Sequence, residues 1–425
     1  MHRTSALRRR VAEVAPVGGG LFVLGVSAYV VLGAAGHTLA PGDYAAVASL
    51  YLLVAITSPG VFTALEQETN REVSSRRATG LGTGAVGRAG LAVGAGYAGV
   101  VGAVLLAAAP LLVPRVLGGS WSLLAAAIVA AIGAAAVYLL RGLFAGEQRF
   151  GWYAVSLGLE GAVRLVPCVV LALVGATDPL AYGWAFALGT GLAALLCLPG
   201  RRPSTTNRAP GPPVDVWRMA RATGLLALAS WLTYVVANAA PLVLTARLLG
   251  APEVAASYVS LFVLARIPVF LFGPVQAFLL PTLTAGAERA DPAHLRSRLR
   301  VALLAVAVVG VPATALTAAL GPWAVRAFFG APLDLPHTAA GLLGLGTVAM
   351  LTAQVLQPAL VALRVHRTAT IAWVVGTAVF AAVLVVPADP ATAAVTAQVA
   401  GPTVVCLIMA AAIAARLRRI AAPAA

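Results

Sequence analysis

The chain has 425 residues, 60% hydrophobic and only 10% charged, with a mean hydropathy of +0.93. A water-soluble fold of that composition would have almost no polar surface to offer solvent, so the composition excludes one and predicts a multi-pass membrane protein. All 29 basic residues are arginine and the formal net charge is +15. Spread over short segments between apolar runs, that charge fits the anionic face of a membrane and calls for no nucleic acid partner.

A hydrocarbon core needs about 20 apolar residues per crossing, and about twelve such stretches follow one another along the chain. The first six lie near 14–36, 44–66, 89–113, 121–143, 152–174 and 180–198. The second six lie near 223–247, 256–280, 301–324, 338–362, 369–387 and 391–414. Arg8, Arg9 and Arg10 before the first stretch look like the start of a secretory signal, but the run is long enough to span and eleven more follow. The segments between stretches alternate in charge. Seven of them hold 24 arginines, beginning with Arg3 and Arg8 to Arg10, then Arg71, Arg76, Arg77 and Arg88, then Arg141 and Arg149. The six intervening ones hold only Arg115, Arg247 and Arg326. By the positive-inside rule the crowded side is cytoplasmic, which places both termini there in a plasma membrane.

The longest inner segment falls near the midpoint and contains Arg201, Arg202, Pro203, Pro210, Pro212 and Pro213, a linker composition. It separates an N-terminal lobe, 1–199, from a C-terminal lobe, 222–425, with the linker at 200–221. The stretch Ala48–Leu53 resembles Val259–Leu264 at an offset of 211 residues, and each is preceded by a turn carrying proline and an acid, LAPGD and LGAPE. Six spans per half give both halves the same orientation. The expected fold is therefore all-α, two parallel six-helix lobes around a central cleft.

Three motifs carry a resemblance. Leu39-Ala40-Pro41-Gly42-Asp43-Tyr44 follows the first span, Arg141-Gly142-Leu143-Phe144-Ala145-Gly146-Glu147-Gln148-Arg149-Phe150 follows the fourth, and Ala265-Arg266-Ile267-Pro268 with Gly273-Pro274 and Gln276 lies in the eighth. Together they are similar to the polysaccharide-exporting flippases of the multidrug/oligosaccharidyl-lipid/polysaccharide superfamily, although the first motif lacks two of that family's glycines. The resemblance implies a carrier, not an enzyme, that flips an undecaprenyl-pyrophosphate glycan by alternating access, with membrane lipid around it and a proton or sodium ion as candidate coupling ion. A monomer without cofactor is expected.

Such a substrate needs cations at membrane depth and a polar lining. Arg164 and Arg266 lie near the midplane, one per lobe, each about 15–18 Å from a span end at 1.5 Å per residue. Glu160, four residues before Arg164, is the one acid placed at depth; the two either neutralise each other as a structural pair or serve the substrate. Arg266 has no acid within four residues, so its partner is another helix, a carbonyl or the substrate, and the resemblance gives it a pyrophosphate. Asn238, Gln276, Gln354, Gln357 and Gln398 either line a sugar path or join helices. Asp43 either caps the second span or closes the outer gate.

Other classes fit less well. A cation-coupled drug extruder of the same superfamily, the alternative reading, would rely on membrane acids. A membrane glycosyltransferase or polymerase would need sizeable outer loops, and those here are short. Cys168, Cys197 and Cys406 all fall in apolar spans, no histidine or cysteine pairing suits a metal, and a lysine-free chain has no phosphate-binding GxxxxGK[ST] loop.

Overall fold

The computed structural model describes residues 2–201, 212–269, 292–363 and 365–421. Among them every regular element is a helix, and twelve helical segments are long and apolar enough to cross a bilayer. The chain is a multi-pass membrane protein. It divides into two compact units, Met1–Tyr234 and Val235–Ala425.

The N-terminal unit contains α1 (His2–Thr38), α2 (Pro41–Thr57), α3 (Pro59–Ala78), α4 (Gly84–Ala107), α5 (Ala109–Val116), α6 (Trp121–Gly146), α7 (Phe150–Leu173) and α8 (Pro179–Cys197). It ends within α9 (Val216–Arg247), whose first part belongs to this unit: Tyr97 Oη donates to the Ala220 carbonyl at 3.1 Å. The second expected span is two helices. Pro59 has no N–H to continue the ladder, so the chain breaks at Ser58 and resumes as α3, which runs twelve residues beyond the expected end at Glu66. The third span likewise breaks at Ala108, just before Pro110.

Helix α6 is the axis of the unit and packs against α2, α3, α4, α7 and α8. Its alanine-rich stretch makes this possible: Ala126, Ala127, Ala130, Ala131 and Ala134 are wholly buried, and such small side chains let neighbouring helices approach. At Gly142 the approach is closest. A Cβ there would stand 2.6 Å from the Glu66 carbonyl oxygen and 2.7 Å from Thr69 Cβ, so only glycine lets α3 lie against α6 at this level. Ser120 caps α6 by accepting from Leu123 N at 3.2 Å, and Asp178 caps α8 by accepting from Leu180 N at 2.9 Å. A tight turn through Gln148, at φ 58°, folds α7 back beside α6.

The C-terminal unit holds the rest of α9, then α10 (Pro252–Leu264), α11 (Pro292–Phe329), α12 (His337–Ala362), α13 (His366–Val385) and α14 (Pro390–Ala421). α12 packs on α11 and α14, and α13 on α14. Two of the three arginines on the arginine-poor side have partners of their own. Arg247 donates to the Leu384 and Ala388 carbonyls at 3.0 and 2.9 Å, and Arg326 pairs with Asp334 at 3.1 Å.

Candidate functional site

In an α-helix each Cα–Cβ bond leans toward the N-terminus. The α6–α7 hairpin is joined at the C-terminus of α6 and the N-terminus of α7, so side chains on α6 lean away from the turn and those on α7 lean toward it. Arg141 lies five residues before the end of α6, about 8 Å from it, and Glu160 ten residues into α7, about 15 Å, at 1.5 Å per residue. Their side chains lean toward each other and meet. Arg141 Nη2 donates to Glu160 Oε2 at 2.6 Å, while its Nε donates to Ser156 Oγ at 3.1 Å. The Tyr138 ring lies 5.3 Å from the guanidinium carbon.

The other carboxylate oxygen, Glu160 Oε1, takes Arg164 Nη2 at 2.8 Å, one helical turn along the same face. The hydroxyl of Thr190 on α8 accepts from that same Nη2 and donates to Glu160 Oε1 at 3.3 Å. The guanidinium of Arg164 lies over the Phe186 ring, 4.5 Å from its centroid. Gly189 on α8 makes room for the arginine stem, because a Cβ at that position would collide with Arg164 Cγ. Arg164 Nε is enclosed and has no hydrogen-bond partner. Both carboxylate oxygens are therefore engaged, one by each arginine.

This corrects two expectations. Arg141 is not a cation of an inner loop: it lies inside α6 and its side chain is only 2% exposed. Glu160 is not the one acid at depth either. The continuation through α3 carries Glu66 into the packed interior, half-buried, where its Oε1 accepts from Tyr153 Oη at 2.7 Å. Sequence reasoning missed Arg141, Ser156, Thr190, Glu66 and Tyr153. A signal existed for Arg141, since the residues after it, Gly142-Leu143-Phe144-Ala145-Gly146, are all apolar and continue the helix.

In the C-terminal unit Arg266, just past the end of α10, donates through Nη1 to Asn238 Oδ1 on α9 at 2.5 Å. Two of the expected residues thus meet, and the partner of Arg266 includes a helix amide. Thr347 donates to the Ala265 carbonyl beside it at 2.8 Å, serving the backbone where α10 stops before Pro268. Gln357 accepts from Trp373 Nε1 at 2.9 Å, which joins α12 to α13. Gln354 is half-buried on α12, and Gln398 is buried on α14. Gln276 lies outside the described residues. Asp43 caps nothing: Pro41 begins α2, and Asp43 sits exposed in its first turn without a side-chain cap bond, where its charge favours the helix dipole. Among the described residues no group of three or more His, Cys, Asp or Glu could hold a metal ion.

The fold is that of the MATE transporters of the MOP superfamily. An inward-facing multidrug resistance MATE family transporter superposes with a TM-score of 0.75 at 14% identity, over 95% of this chain and 96% of that one. The eukaryotic MATE transporter AtDTX14 gives 0.70 at 13% identity, over 97% and 98%. A MOP superfamily transporter from Pyrococcus furiosus, reported with a binding pocket of reverse polarity suggesting a different function, gives 0.63 at 13% identity over 96% of each chain. In sequence the chain is 28% identical over 410 residues to the uncharacterized protein Rv1510 of Mycobacterium tuberculosis, covering 95% of this chain and 92% of that protein. It is 26% identical over 403 residues to the uncharacterized protein Rv3630 of the same organism, covering 92% and 90%. No protein-family model matches the chain.

Proposed function

We propose that the chain carries a lipid-linked anionic glycan, of the undecaprenyl-pyrophosphate class, from the cytoplasmic to the outer leaflet of the plasma membrane by alternating access. In this reading both termini are cytoplasmic, the carrier works as a monomer, and a proton or sodium ion is the candidate coupling ion. The product serves cell-surface polysaccharide synthesis.

The observation that carries the reading is the bridging of two arginines by the single carboxylate of Glu160. One carboxylate is shared by two guanidiniums, Arg141 at 2.6 Å and Arg164 at 2.8 Å. A cation at membrane depth costs at least about 2.5 kcal/mol, and a second arginine on an already paired acid is one that an anionic substrate can engage. Arg266, held by the neutral amide of Asn238, gives the C-terminal unit a cation of the same kind. Guanidiniums suit the oxygens of a pyrophosphate.

A second reading, a cation-coupled multidrug extruder, draws on Glu66. That carboxyl is held by the Tyr153 hydroxyl, and a membrane carboxyl is the kind of group a proton-coupled exporter uses. One comparison separates the two. Cells depleted of the protein should accumulate lipid-linked glycan in the inner leaflet while their drug sensitivity stays unchanged. Increased drug sensitivity with normal glycan export would favour the extruder.

A further inference from the structure

The two arginines on Glu160 are not equivalent. Arg141 is 2% exposed and bonded to the carboxylate, to the Ser156 hydroxyl and, through Nη2, to the Ser156 carbonyl at 3.3 Å. Arg164 is 13% exposed, reaches both Glu160 and Thr190 with a single nitrogen, Nη2, and keeps its Nε without a hydrogen bond. If Arg164 swung away, Glu160 would still hold Arg141 on Oε2 and the Thr190 hydroxyl on Oε1. The carboxylate would remain a paired buried charge. Were Arg141 to leave instead, its own three bonds would all be lost.

We infer that Arg164 is an exchangeable anion ligand: it parks on Glu160 and Thr190 when the site is empty and transfers its guanidinium to the pyrophosphate of a polyprenyl-linked substrate, while Arg141 is the positioning residue that keeps Glu160 paired and so permits the transfer. This rests on the anionic-substrate reading above and adds a division of labour to it. Phe186 supplies the track, since a guanidinium stacked on a ring keeps a favourable contact as its N–H groups change partners. On transfer Arg164 gives up its bonds to Glu160 and to Thr190 together. Transfer exchanges one carboxylate for phosphate oxygens, so no charge is stranded in low dielectric at any point.

The inference makes an unusual demand on the variants. Without Arg141, Glu160 depends on Arg164 for its charge partner and holds it, so an Arg141 variant should lose anion binding although Arg141 never touches the anion. Removing the charge of Glu160 should then release Arg164 and restore binding.

The test measures binding of farnesyl pyrophosphate to the purified full-length chain in detergent, with farnesol and inorganic pyrophosphate as comparison arms. Monodisperse elution is required of each variant. Arg164→Gln should weaken binding about tenfold or more, the loss expected for a charged hydrogen-bonding partner. Arg141→Gln should weaken it similarly, and Arg141→Gln with Glu160→Gln should return to within a few-fold of wild type. Wild-type binding by Arg164→Gln would overturn the ligand role. Failure of Glu160→Gln to rescue Arg141→Gln, with both variants eluting as monodisperse protein, would overturn the positioning role. If the wild-type chain bound farnesol as well as farnesyl pyrophosphate, the anionic-substrate reading itself would fail, and the exchange with it. Inorganic pyrophosphate competing at the farnesyl pyrophosphate concentration would reassign the ligand to free pyrophosphate.

Discussion

Arg141 and Glu160, nineteen residues apart on adjacent helices, form a buried ion pair at 2.6 Å that closes the α6–α7 hairpin at membrane depth. The intrahelical pair between Glu160 and Arg164 is present as well, at 2.8 Å, but it is the second bond on a carboxylate already taken.

That order of bonding sets the first prediction. Replacing Glu160 and Arg164 together by leucine should not recover wild-type stability, because Arg141 loses its hydrogen-bonded carboxylate, a defect worth up to about 3–5 kcal/mol. Thermal unfolding in detergent measures it. A double variant as stable as wild type would mean that Arg141 finds another partner at no cost.

Gly142 supports the second prediction. Its missing Cβ lets the Glu66 carbonyl lie where a methyl would be only 2.6 Å away, and the obstacle is backbone that cannot rotate aside. Gly142→Ala should cost about 1–3 kcal/mol by forcing α3 from α6. It should also weaken the Tyr153–Glu66 contact next to it. An unchanged melting temperature would show that the two helices separate freely.

The third prediction concerns orientation and follows from the uneven division of arginines between the two sides, which holds with Arg141 placed inside α6. Single cysteines introduced into a cysteine-free chain at Asp178 or Asp389 should react from outside with a membrane-impermeant reagent, and those at Ser204 or Arg296 should not. Outside labelling at Ser204 would reverse the topology.

For the C-terminal unit, Asn238→Leu removes the acceptor of the 2.5 Å bond from Arg266 Nη1 and should lower transport several-fold, about the effect of one hydrogen bond to a charged group. Arg266→Lys should keep the charge, lose the fork geometry and retain partial activity. Rates measured at equal protein abundance check both, and wild-type transport by Asn238→Leu would make that bond incidental.

The sequence made the membrane class, the number of spans and the opposed charges of Glu160 and Arg164 readable, because hydropathy, arginine spacing and helical periodicity are local properties. The one-residue breaks at Ser58 and Ala108, beside Pro59 and Pro110, were not read in advance, since where a helix ladder opens depends on what packs beside it. The link from Arg141 to Glu160 was hidden by a boundary error of a few residues: an arginine at the end of an apolar run looks like a loop residue until the helix is known to continue to Gly146. Glu66 was hidden in the same way by the continuation of α3. Thr190 and Ser156 give no signal in a sequence, because a hydroxyl among apolar residues becomes part of a charge network only through contacts made in three dimensions.

The most direct measurement of the central claim is leaflet exchange in proteoliposomes containing the purified chain and a fluorescent polyprenyl-pyrophosphate oligosaccharide, followed by quenching from outside. The account predicts exchange well above protein-free vesicles, strongly reduced by Arg266→Ala and by Arg164→Gln, with no exchange of the corresponding neutral polyprenol glycan. Exchange unaffected by both substitutions, or equal for the neutral lipid, would contradict an arginine-based site for an anionic headgroup.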